Sequence, residues 1–363
     1  MRTNLALAAA SVLLALLASE MLARLFIAPD VQSAPVGLLT LRNFVADRII
    51  LFGSAYPSQY DAELGWVPKA GFESEQNVWG KRVSIDDQSF RRNGPRAPND
   101  TASPLLMVGD SFVFGDEVED DATQPAHLEQ ILGAPVLNAG VFGYGIDQSV
   151  LRAERVATQR RPRAVVLGFI PDDIDRSTMS IRTGVEKPYF ELDARGELVL
   201  RNVPTSRARP RIEDLGWVRS VLGYSYLADS LMRRLGKGDV WYVGGFRTVW
   251  VRRDPARAVE LSCKLLARLD GFARENDLPF LAVAEYAAPH VYGGSNARNE
   301  LAQTRALLDC ARAQGVEVLD LLPALTAERA RDPGRFSTLY ARIHHSSAGN
   351  RFVAERIAEA MGR

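Results

Sequence analysis

Two cysteines and four histidines among 363 residues remove several common chemistries at the outset. Two thiols cannot build a disulfide-rich scaffold or a four-cysteine zinc site. Cys263 and Cys310 both fall in helical patterns and read as buried free thiols, with one disulfide as the alternative in an oxidising compartment. An excess of charge of either sign is also lacking, because 44 basic side chains balance 44 acidic ones. That balance argues against a general nucleic-acid binder, which carries a basic surplus. The local basic cluster Arg155, Arg160, Arg161 and Arg163 reads as the solvated end of a helix. Asp116, Glu117, Glu119, Asp120 and Asp121 lack EF-hand spacing and are joined by no His or Cys, so they read as a solvated loop and not a metal site. No internal repeat or low-complexity tract is present.

What the chain does have begins with a membrane signal. Arg2 precedes Leu5–Ala18, an apolar stretch interrupted only by Ser11, and Leu22–Ile27 is again largely apolar. The first stretch alone has the length of a signal-peptide core, yet no A-x-A cleavage site follows it. Leu5–Ile27 can cross a bilayer if Arg24 snorkels and Glu20 lies near the interface. Residues 1–28 therefore read as an uncleaved single-pass anchor, with a cleaved signal as the alternative. Arg2 on the inside puts the remainder outside the cytoplasm, in a periplasm if the membrane is a bacterial inner one.

Residues 29–103 read as an irregular, strand-poor extension, in which only Val83-Ser84-Ile85 alternates like a strand. From Pro104 the pattern alternates. Leu105–Val108, Val136-Leu137, Ala164–Ile170, Phe280–Ala284 and Val316–Leu321 are expected strands. Pro125–Leu132, Gln148–Thr158, Asp254–Asn276, Ala297–Gln314 and Ser347–Met361 are the expected helices, with Asp254-Pro255 an N-cap and N1 pair. Such alternation implies a mostly parallel sheet covered by helices on both faces. It breaks over about 176–253, which reads as a long insertion. Short extended pieces are expected there at Pro188–Phe190, Glu197–Leu200 and Val240–Val243, with one amphipathic helix over Val221–Leu235.

Four loops at one sheet edge carry the chemistry. Gly109-Asp110-Ser111-Phe112 follows the first strand, Asn138–Gly145 the second and Pro171-Asp172-Asp173 the third, while His344-His345-Ser346 precedes the last helix. In a parallel sheet such loops converge on one rim. Ser111 is a nucleophile candidate, with a helix N-cap as its ordinary structural role. Gly143 suits either a turn at positive φ or an oxyanion donor. Val113 stands where a G-x-S-x-G elbow needs its second glycine, which disfavours the standard α/β-hydrolase arrangement.

This ordered set resembles the SGNH (GDSL-type) hydrolase family over residues 104–363. The resemblance implies a flavodoxin-like three-layer α/β fold with an N-terminal extension and an insertion. It implies Ser111 as nucleophile, His344 as general base (five residues before Gly349), and the Ser111 and Gly143 N–H groups as the oxyanion hole. His345 fits the spacing less well and reads as a surface neighbour. His127 and His290 read as structural. Two family positions are altered: Asp172 replaces an oxyanion-donating Asn, and Ala341 replaces the Asp that orients the histidine. Asp172 is then expected either to take over the orienting role or to donate while protonated. No metal or organic cofactor is required. The implied function is an exported serine esterase or O-acyltransferase acting on small acyl esters, such as O-acetyl groups of envelope or exported polysaccharide. The alternative is a non-catalytic envelope protein that binds glycan or an assembly partner.

Overall fold

The computed structural model describes residues 2–27, 57–75, 80–94, 102–182, 185–206, 216–235, 241, 249–251, 254–294 and 297–362. The main unit holds a five-stranded sheet of β1 (Leu105–Val108), β2 (Val136–Asn138), β3 (Ala164–Phe169), β4 (Phe280–Ala284) and β5 (Val318–Asp320). Its spatial order is β2-β1-β3-β4-β5, with every pairing parallel. This is the flavodoxin-like order, and it places the topological switch point between β1 and β3. β1, β3 and β4 are buried along their whole length, as their unbroken apolar runs require, whereas the edge strand β5 is only half-buried.

Helices α1 (Gln124–Leu132), α2 (Ile146–Arg160), α3 (Pro255–Glu275), α4 (Ala297–Ala313) and α5 (Ser347–Ala360) complete the layers. α1 packs on α5, while α3 packs on both α2 and α4. Local chemistry starts the helices: the Thr123, Asp254 and Ser346 side chains accept from amides of their first turns. On α5, Val353, Ala354, Ile357 and Ala358 are buried and recur at helical spacing.

The cysteines do not remain thiols. Cys263 on α3 and Cys310 on α4 form a disulfide across adjacent helices, closing a loop of 47 residues. A cross-link of that span constrains the unfolded chain. Replacing both cysteines with serine is expected to lower unfolding free energy by about 2–4 kcal/mol. A denaturant midpoint unchanged from the oxidised parent would contradict the link.

The extension contains more strand than its composition suggests. Ser58–Asp61 pairs antiparallel with Gly65–Pro68, and Glu73–Ser74 with Val83–Ser84. The first turn is local: Asp61 Oδ1 accepts from the Glu63 and Leu64 amides, and Gly65 takes φ 81°. In the insertion, Tyr189–Leu192 and Leu198–Arg201 form a hairpin. The helix expected over Val221–Leu235 is two helices, Gly216–Leu222 and Tyr226–Arg234. Gly223 interrupts it, and Ser225 Oγ accepts from the Ala228 amide to start the second. The piece expected at Val240–Val243 lies outside the described residues apart from Trp241.

A second, smaller unit comprises the helix Arg2–Ile27 and the two insertion helices. Within it, Arg2–Ile27 packs against Tyr226–Arg234. Ala6–Ala23 is long and apolar enough to cross a membrane.

Candidate active site

Ser111 opens a short helix, Ser111–Phe114, directly beyond β1 at the switch point. The N-cap is Asp110, whose Oδ1 accepts from the Phe112 amide at 2.9 Å. The capping role that Ser111 could have filled is therefore taken by its neighbour. Its hydroxyl lies 2.9 Å from His344 Nε2 and 3.4 Å from Asp110 Oδ2. A first-turn amide has no partner inside its own helix, which suits the Ser111 N–H to an oxyanion.

The β2 loop closes against this helix. A Cβ on Gly140 would stand 2.3 Å from the Phe114 amide nitrogen, so the two backbones approach as only glycine allows. Gly143 sits at φ 76°. The extension braces the loop: Trp66 Nε1 donates to the Phe142 carbonyl at 3.0 Å, and the Tyr144 hydroxyl donates to the Trp66 carbonyl. The Trp66 and Tyr144 rings meet edge-on at 5.5 Å.

The acid facing the histidine is Glu117, not Asp172. Glu117 Oε1 lies 3.4 Å from His344 Nδ1, and Oε2 accepts from the Arg342 and Ile343 amides at 3.0 and 3.1 Å. One carboxylate thus ties itself to the loop that carries His344 and faces the ring nitrogen opposite Ser111. Asp172 is half-exposed and pairs with Arg176 at 3.4 Å. Its charge is met by that guanidinium. Arg176 also donates to Asp110 Oδ2 at 3.0 Å and Asp173 Oδ1 at 2.6 Å, linking the Ser111 loop to the β3 loop.

The acidic run after Ser111 is solvated only at Glu119 and Asp121. Asp116 and Asp120 are buried, and Glu117 is largely covered. The cause is Arg91, a buried arginine of the extension. It pairs with Asp120 at 3.1 Å and donates to the Phe114, Gly115 and Val118 carbonyls. A buried guanidinium needs counter-charge and acceptors, and residues 114–120 fold around it to supply them. That wrapping delivers Glu117, in a left-handed backbone conformation (φ 71°), to the histidine.

These surroundings bias the protons. Burial works against the His344 imidazolium, but the Glu117 contact and the Asp116, Glu117 and Asp110 charges outweigh it and raise its pKa. Burial likewise works to raise Glu117, yet His344 and the Ile343 and Arg342 amides hold it down at about 2. Asp116, 3.9 Å from His344 Nε2, is pushed up to about 7 by burial despite the pull of His344 and Arg91.

His345 is not a surface residue. It is 1% exposed, with Nδ1 3.5 Å from Glu285 Oε2, and the Phe112 ring packs against both it and His344. Burial raises the Glu285 pKa above the carboxylate range. His127 meets Ser347 Oγ at 3.2 Å, and His290 meets Glu300 at 2.8 Å. Ser111 and His344 meet at 2.9 Å, and the loop that carries Gly143 closes on the Ser111 helix through Gly140. Glu117 was the residue missed. The sequence carries no local signal for it, because Glu117 lies among four other acids, Asp116, Glu119, Asp120 and Asp121.

No model of a known protein family matches this chain, and no curated protein matches it. Among solved structures it is similar to an acetyl xylan esterase, at 13% identity over 71% of this chain and 98% of that one, with TM-score 0.41. It is also similar to a lipase/acylhydrolase from Enterococcus faecalis, at 12% identity over 71% and 95%, TM-score 0.38. A third is a catalytic mutant of an acetylxylan esterase from Geobacillus stearothermophilus, at 14% identity over 74% and 97%, TM-score 0.39.

Proposed function

We propose that this chain is an exported, membrane-anchored serine esterase or O-acyltransferase that works through an acyl-enzyme. The observation that carries the reading is the line Ser111 Oγ, His344 Nε2, His344 Nδ1, Glu117, with separations of 2.9 Å and 3.4 Å at its two contacts. The second is long for a hydrogen bond, as catalytic contacts often are before substrate binds. Ser111 Oγ attacks the ester carbonyl while His344 Nε2 takes its proton. The carbonyl oxygen becomes an oxyanion facing the Ser111 and Gly143 N–H groups. As the tetrahedral adduct collapses, the alcohol leaves with the proton from His344. Water or an acceptor hydroxyl then attacks the acyl-enzyme, His344 again moving the proton, and Ser111 is regenerated. Glu117 keeps the imidazole in the tautomer that leaves Nε2 free and stabilises the imidazolium.

The Cys263–Cys310 disulfide and the apolar helix support export, since disulfides persist outside reducing cytoplasm. The resemblance to SGNH hydrolases supports small acyl esters, with O-acetyl groups on polysaccharide as the substrate class. Treating the full-length protein in detergent with a fluorophosphonate, then locating the adduct by mass spectrometry, tests the reading. Labelling is expected at Ser111 and is expected to vanish in His344→Ala. Folded protein that stays unlabelled, and binds acetylated glycan without turnover, would instead place it among non-catalytic binding proteins.

A further inference from the structure

The insertion helices carry an apolar surface that the proposed chemistry does not use. Trp217, Val218, Val221 and Leu222 share one side of Gly216–Leu222 and are 80%, 43%, 63% and 46% exposed. Beyond the break, Leu231 and Leu235 are 54% and 61% exposed. Large apolar side chains exposed together mark a surface that meets something other than water.

The anchor helix identifies the partner. Glu20 stands three residues before the end of the apolar stretch Ala6–Ala23, a distance of about 5 Å at the α-helical rise. A carboxylate at that depth is costly in a bilayer unless its oxygens are met. Here they are met by the start of the second insertion helix. Ser225 Oγ donates to Glu20 Oε2 at 2.6 Å, and the Tyr226 and Leu227 amides donate to the carboxylate at 3.1 Å each. Negative charge at a helix N-terminus is favourable in its own right. The bond set therefore holds the head of Tyr226–Arg234 at the level of Glu20, within about one helical turn of the hydrocarbon edge. An apolar helix face held at that level meets acyl chains and headgroups.

We propose that Gly216–Leu222 and Tyr226–Arg234 form an interfacial membrane contact, held at the bilayer surface by Glu20 and occupied by lipid of the leaflet where the anchor ends. The proposal rests on the anchor reading given above. It makes the insertion a second membrane element beside the span, with an apolar side in the acyl-chain boundary and exposed Arg234 among the headgroups. Glu20 serves as the joint between the two.

Spin-label depth measurement tests this on the full chain in phosphatidylethanolamine/phosphatidylglycerol nanodiscs. Both native cysteines are in the disulfide, so a single added thiol can be labelled selectively. Labels at Leu14→Cys, Val221→Cys and Leu231→Cys are compared for collision with oxygen and with an aqueous nickel chelate. Leu14 is expected deep in the bilayer, and Val221 and Leu231 at the headgroup boundary, favouring oxygen over nickel. Adding Glu20→Ala is expected to move the Leu231 label into water. A deep Leu14 with aqueous Val221 and Leu231 overturns the interfacial contact and leaves the anchor standing. An aqueous Leu14 overturns the anchor and this proposal with it. Val221 and Leu231 labels shielded from both reagents would show a protein partner or second copy in place of lipid, and an unchanged Leu231 depth in Glu20→Ala would overturn the Glu20 joint.

Discussion

Ser111→Ala is expected to lower kcat on a small activated ester such as p-nitrophenyl acetate by about 10⁴-fold or more, and His344→Ala by a similar factor. In the proposed mechanism the two groups act as one unit, the hydroxyl being a nucleophile only while His344 Nε2, 2.9 Å away, takes its proton. The double variant should therefore be scarcely worse than either single one. Free energies that add in the double variant would mean that serine and histidine act independently, contrary to the reading. Folding should survive in Ser111→Ala, because the helix start depends on Asp110, not on Ser111. An unchanged denaturation midpoint checks that the loss is chemical. Turnover retained in Ser111→Ala would move the nucleophile elsewhere.

The sheet was legible because its signals are local. β1, β3 and β4 are unbroken apolar runs, and such runs between helical patterns have few readings other than buried parallel strands. The loops carrying Ser111 and Gly143 follow from strand ends and one rule of topology, and that of His344 from the start of the last helix. What stayed hidden depends on partners distant in the chain. Arg91 gives no sign in sequence that it will be buried, yet its burial turns residues 114–120 from a charged loop into the support of the site. Glu117 lies among acids that look solvated one by one, and only its distant contacts, His344 and the Arg342 and Ile343 amides, single it out. His345 misled for the same reason: beside His344 in a polar loop, it turns inward to Glu285 and Phe112. The disulfide was open as an alternative, but choosing it required knowing that α3 and α4 lie side by side. The Asp61 turn was within reach, since an Asx residue four before a glycine is a turn signal, and the strands flanking it were too short to register.

Glu117→Gln separates an orienting acid from a bystander. The glutamine keeps an oxygen for the Arg342 and Ile343 amides, so the loop should hold, but it loses the charge. Its amide N–H, turned toward His344 Nδ1, stabilises the tautomer that carries its proton on Nε2, where it cannot accept one from Ser111. The expected cost is about 10²–10⁴-fold in kcat with KM little changed. The pH profile supplies a readout that a merely structural role would not move. The base works only when neutral, so activity falls on the acid side as His344 protonates, and its raised pKa places that limb above the ordinary histidine value near 6.5. Removing the Glu117 contact and charge takes away part of what raises the imidazole pKa against burial, so the limb should move to lower pH even as the plateau drops. Asp116→Asn should also move the limb downward, because the carboxyl lies 3.9 Å from His344 Nε2 and, where ionised, its charge favours the imidazolium. It does not reach Nδ1, so its effect on the plateau should be much smaller than that of Glu117→Gln. If Glu117→Gln left both plateau and limb in place, the histidine would have to be oriented by another group. Asp172, which faces Arg176 across 3.4 Å, is not turned to do it.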